Sequence, residues 1–219
     1  MKLRRFPRLR RLFGRGSDTR GVVIIEMAYT LPFLLLLGFG GLEIANLTLS
    51  NTRISQMTLS TADNAARIAS GSNLAVPQVR EVDINEVFTG MQLQGGDLNF
   101  ETNGRVILSS LETNADGGQF IRWQRCFGNR TASPSTYGVA GVGATGTAFP
   151  GMGPVGREVK AAAGSAVMFV EVYYTYQPLL FGSWLGPQTI RSTAAFTVRE
   201  SRDLSQIYNP SPAAPVRNC

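Results

Sequence analysis

The chain has 219 residues, a formal net charge of +6 and an apolar share of 43%, enough for one moderate domain plus an anchor. It has no histidine, which excludes Ser-His-Asp and Cys-His catalysis and His-containing zinc sites. Of its two lysines only Lys160 lies in the body, and no partner motif for a Ser-Lys dyad accompanies it.

The positive charge is local. Residues 1–20 hold eight Lys or Arg (Lys2, Arg4, Arg5, Arg8, Arg10, Arg11, Arg15, Arg20) against Asp18, so the remaining chain is close to neutral, at −1. An arginine tract can bind phosphates, but one placed directly before an apolar run reads as a cytoplasmic retention signal. No nucleic-acid partner is expected, and residues 1–21 read as a basic cytoplasmic leader.

Residues 22–42 contain twelve Val, Ile, Leu or Phe and read as a transmembrane segment. Those side chains favour insertion by very roughly 5 kcal/mol, against about 3 for one central charge and less near the edge. Glu26 is the one charged residue of the span. Pro32 removes a helix hydrogen bond, and Gly38, Gly40 and Gly41 weaken the helix by ~1 kcal/mol each. These four mark a place where the helix could unwind or pack closely.

From Glu43 to Ser70 there is no Gly or Pro. Ile44, Leu47, Ile54, Met57, Thr61, Ala65 and Ile68 form one apolar stripe at helical spacing. This predicts that the helix continues over 43–70, outside the membrane, and stops at "SGSN" (70–73). A weaker helix is expected over about Gln78–Met91, with Val79, Val82, Val87, Phe88 and Met91 on one face. Asn103-Gly104 between two runs of strand formers predicts a hairpin, and "QFIRWQRCF" (119–127) a strand. Residues 128–156, rich in Gly, Ala, Thr and Pro, predict an exposed, mobile loop. Its "GVGATG" lacks the Gly-Lys-Ser/Thr of a phosphate loop. "VKAAAGSAVMFVEVYYTYQPLL" alternates through Met168, Val170, Val172, Tyr174 and Tyr176 and is the longest strand candidate. "QTIRSTAAFTVRES" (188–201) is the last, and 209–219 is a Pro-rich tail. The sum is α+β: a long N-terminal membrane-spanning helix packed on an antiparallel sheet of about four strands, with 71–208 as the extracytoplasmic body. Two cysteines, Cys126 and Cys219, in such a body favour one disulfide. Two separate thiols remain the alternative, because spacing does not assign pairing.

A basic leader, then Gly21, Val22-Val23-Ile24-Ile25 and Glu26, then a long apolar helix resembles prepilins of the type IV class. The stretch "RGVVIIEMAYTLPFLLLLGFGGLEIANL", with Glu26, Ala28, Leu31-Pro32, the leucine run and Glu43, resembles the TadE-like family of the tight-adherence (Tad) pilus. "WQRCFG" and the late Cys219 are also similar. The likeness covers about residues 19–65. One departure is Met27 where many such prepilins have Tyr, with Tyr29 two residues on. The resemblance implies a minor pseudopilin of the bacterial inner membrane, cut between Gly21 and Val22 by a prepilin peptidase. Other pilins, pseudopilins and platform proteins would be its partners. Cleavage would leave the Val22 ammonium four residues from Glu26, on the same helix face, so that the carboxylate can serve as a docking and register element. No cofactor, metal or catalytic role is implied. A membrane-anchored periplasmic enzyme, an uncleaved anchor and a secreted protein cut near "GFG" (38–40) are the alternatives.

Overall fold

In a computed structural model of the chain, the described residues are 19–69, 76–180, 182 and 186–219. The leader at 1–18 and the helix stop at 70–73 lie outside them. The chain divides into two compact units, 1–44 and 45–219.

The first element, α1 (Thr19–Arg67), runs through Pro32 and the three glycines without interruption. Within the first unit, every residue from Gly21 to Leu37 is exposed.

The second unit begins inside α1. Residues 45–67 lie on the sheet through Ile54, Met57, Thr61 and Ala65, all buried, and Leu47 and Ile68 are half-buried. The predicted stripe therefore holds, except that Ile44 is 68% exposed. Ser50, Thr58, Ala62 and Ala66 widen it. The hydroxyls of Thr58 and Thr61 donate to the carbonyls of Ile54 and Met57, each at 2.7 Å, so these polar side chains enter the core satisfied.

α2 (Glu81–Gly95) starts three residues later than expected. Residues 77–80 are held extended instead by the stretch just before the tail: Tyr208 donates from N–H to the Val79 carbonyl at 2.8 Å, and Glu81 donates to the Tyr208 carbonyl at 2.9 Å. Val79 is buried from this extended segment, while Val82 faces out and Ile84 fills the core. The Asp83 carboxylate accepts from the Arg80 backbone N–H at 3.0 Å and from its guanidinium at 2.7 Å, which closes the helix start.

The hairpin expected at Asn103-Gly104 is absent. A type I′ turn needs positive φ at both residues, but Gly104 is extended at φ −121° and the left-handed residue is Asn99 (φ 46°). Residues before Gly104 form a helical turn, α3 (Phe100–Asn103). The glycine serves another purpose: a Cβ there would lie 2.5 Å from the Phe100 ring and 2.7 Å from its carbonyl oxygen.

Four strands follow: β1 (Gly104–Thr113), β2 (Gln119–Phe127), β3 (Val167–Thr175) and β4 (Thr189–Thr197), in the order β2-β1-β3-β4, all antiparallel. Both sheet faces are covered. Val106, Leu108, Met168, Val170, Val172 and Tyr174 pack in the core with α1 and α2. Leu111, Ile121, Val167 and Phe169 pack on the other face under Tyr137, Val142, Phe149 and Val159. All of these covering residues but Val159 belong to the segment expected to be an exposed, mobile loop. It has no regular structure, as expected, but it is tied down. The Val142 carbonyl accepts from Ile121 N–H at 2.9 Å, the Asn114 amide donates to the carbonyls of Gly143 and Gly146, and the Gln124 amide donates to the Gly138 carbonyl and accepts from Ala140 N–H. Gly143 has φ +79°, and a Cβ there would lie 2.2 Å from the Gln119 carbonyl oxygen. A glycine-rich composition here permits close backbone packing.

Candidate functional site

Val22–Leu42 contributes about 32 Å of helix at 1.5 Å per residue, the thickness of a bilayer hydrocarbon core. By length and composition α1 is the helix able to cross a membrane among the described residues. Its apolar side chains stand bare: Ile24 is 69% exposed, Phe33 68% and Leu37 74%. Among the described residues nothing within 4 Å would meet a Cβ at Gly21, Gly38, Gly40 or Gly41, so no contact with them demands these glycines.

Glu26 is exposed on this helix. Its carbonyl accepts a hydrogen bond from the Thr30 hydroxyl at 2.9 Å. Its carboxylate makes no ion pair with a described residue. Gly21 and Val22 are helical, one turn before it. The predicted cleavage and docking residues thus share one continuous helical segment, and Pro32 and the glycines introduce no break in the isolated chain.

Cys126 and Cys219 are joined, with Cα atoms 5.0 Å apart. The tail reaches that position by bonds of its own. Cys126 N–H donates to the Arg217 carbonyl at 2.8 Å, the Arg217 guanidinium lies 4.9 Å over the Phe127 ring, and its Nε donates to Asn85 at 2.9 Å.

Several buried charges escaped the sequence reading, although a charge inside an apolar strand such as "VMFVEVYY" is a visible signal. Glu171 is 1% exposed and accepts from the Ser135 hydroxyl, the Thr136 N–H at 2.9 Å and the Tyr173 hydroxyl at 3.0 Å. Glu81 on α2 is paired with Arg125 on β2. Arg202 donates to the carbonyls of Ala65 and Ile68, a cation at the C-terminal end of α1. Burial pulls its guanidinium down to about 10, with the nearby Glu112 carboxylate opposing. Burial pushes the Glu112 carboxyl up, against a hydrogen bond from Ser110. These groups are held by their neighbours and tie helices, strands and tail together, although the Arg202 Nε has no partner among the described residues. Arg105 on β1 is likewise 7% exposed with an orphaned Nε, but unlike Arg202 its guanidinium donates to no carbonyl of a described residue.

No family model, curated protein or solved structure matches the chain.

Proposed function

We propose that the chain is a minor pseudopilin of a Tad-type pilus, a structural subunit that acts in pilus initiation and assembly and performs no chemistry. The observation that carries this reading is the bare apolar helix with one carboxylate, Glu26, a turn after Gly21. A soluble core helix would bury such a face, and a plain anchor has no need of an acid in its apolar run. The basic leader ahead of it orients the chain with residues 1–20 in the cytoplasm and the body in the periplasm of a bacterial inner membrane. Removal of the leader after Gly21 by a prepilin peptidase creates a cation near Glu26, the Val22 ammonium. A buried carboxylate and ammonium are far less costly as a pair than apart. With a neighbouring subunit displaced along the helix axis, Glu26 of one chain meets the amine of the next, and the pair sets the register of docking. Pro32, Gly38, Gly40 and Gly41 allow local unwinding or close helix approach as subunits pack.

The second reading is an uncleaved membrane-anchored assembly protein, which the same helix supports equally. N-terminal sequencing of the chain recovered from membranes separates the two: Val22 is expected for pilin processing, Met1 for an uncleaved anchor and Gly41 for secretion.

A further inference from the structure

A cleft of about 520 Å³ opens on the face of β1 and β2 opposite α1 and α2, bordered by residues 131–140 and by the disulfide-linked end of the tail. Its walls are mostly apolar, through Ile107, Pro134 and Val139, with Cys219 at one side. Arg105 lines it.

This guanidinium is a buried charge without a partner among the described residues. Arg105 is 93% buried, its Nε has no partner, and its side chain makes no ion pair or hydrogen bond with a described residue. The neighbouring charges are already committed. Arg125 is held by Glu81, and Arg122 donates to the Ser205 carbonyl and lies over the Phe120 ring. Glu171, one step along the same face of β3 from Tyr173, the residue opposite Arg105, is occupied by Ser135, Thr136 and Tyr173. An arginine keeps its charge when buried, and a buried charge without a partner is destabilising. Burial alone, with no carboxylate offsetting it, lowers the guanidinium below its ordinary value.

We propose that this cleft is a binding site for a carboxylate carried on an apolar body, with Arg105 holding the anion and Ile107, Pro134 and Val139 receiving the apolar part. The fork of a guanidinium matches a carboxylate in two-pronged geometry. A single buried guanidinium without a hydrogen-bond partner suits a monoanion better than a phosphate dianion, and the apolar part of the wall suits an acid with a hydrocarbon portion. The volume lies in the range of small-ligand and peptide-anchor sites. Two sources supply this chemistry: an acidic segment of a partner protein, with Asp or Glu beside an apolar residue, and a free organic acid.

The test uses the full chain in detergent micelles, labelled with ¹⁵N-arginine, and follows the Arg105 Nε–H resonance. The probes are acetyl-Leu-Asp-Leu-amide and phenylacetate, each against its neutral counterpart, acetyl-Leu-Asn-Leu-amide and phenylacetamide. The expected result is a saturable shift with a carboxylate probe and binding at least about tenfold weaker for its amide. A response to the peptide assigns the site to a protein partner. A response to phenylacetate alone assigns it to a free acid. Arg105→Gln is expected to abolish binding while the melting temperature stays level or rises, because an unpaired buried charge is gone. If that variant does not fold, Arg105→Lys serves, with binding expected about tenfold weaker because the charge remains and the fork is lost. No saturable shift with either acid, equal binding of acid and amide, or binding unchanged in the Arg105 variants overturns the proposal.

Discussion

Replacing both cysteines, Cys126→Ser with Cys219→Ser, removes a crosslink between residues 93 positions apart. In the chain-entropy picture, releasing a loop of that size from the unfolded state lowers stability by about 4.7 kcal/mol. The folded state should change little. The Arg217 carbonyl still accepts from Cys126 N–H, its guanidinium still stacks on Phe127, Asn85 still donates to the Pro215 carbonyl at 2.9 Å, and Tyr208 still pairs with the segment before α2. The loss therefore falls on the unfolded side of the equilibrium. At about 2–4 °C per kcal/mol for a protein of this size, the melting temperature should fall by roughly 10–20 °C. Thermal melts and urea titrations of the parent chain, the parent under reductant and the double variant provide the comparison. The reduced parent and the double variant should agree. A shift of less than about 1 kcal/mol would refute the reasoning, because the tail would then constrain the unfolded chain little or not at all.

Other outcomes follow from particular side chains. Leu108→Ala, at a fully buried position on β1, should cost about 2–5 kcal/mol in urea unfolding, whereas Leu93→Ala, at a position 77% exposed, should stay within about 0.5 kcal/mol. Gly104→Ala drives a methyl group into the Phe100 ring and its carbonyl, and should lower the melting temperature by more than the same change at Gly90, where a Cβ meets nothing within 4 Å. For Glu112, burial holds the folded-state value above the unfolded one. The folded chain then binds the proton more tightly, so this residue's contribution to stability falls as pH rises from the unfolded carboxyl value through the raised one. Glu112→Gln should flatten that part of the urea midpoint measured against pH. A phosphatase reporter fused after Cys219 should be active outside the cytoplasm, and activity only of a cytoplasm-dependent reporter there would overturn the topology.

The strongly periodic elements are legible in the sequence. The buried stripe of α1 and the inward row Met168, Val170, Val172 and Tyr174 of β3 fall where spacing places them. The departures have local causes. Asn103-Gly104 has the composition of a hairpin turn, but Asn99 takes the left-handed conformation and Phe100 packs over Gly104. α2 starts later than periodicity suggests because residues 77–80 pair with Asp203 and Tyr208, more than 120 positions away, which no local pattern carries. The loop at 128–156 has the composition of a mobile segment, but glycine content does not distinguish freedom from close packing; hydrogen bonds to Asn114, Ile121 and Gln124 decide between them. Arg105 lies in "NGRVILSS", where the alternation expected of a half-exposed strand fails because both sheet faces are covered.

The central claim is that Glu26 makes α1 a docking element as well as an anchor. Glu26→Ala in the cells that produce this protein tests it most directly, with surface pili counted and membrane fractionation as the control. Insertion should be unchanged or improved, since an acid within an apolar span opposes insertion. The account predicts a chain that fractionates with the membrane while pili fail to assemble, and normal piliation in Glu26→Ala cells would contradict it.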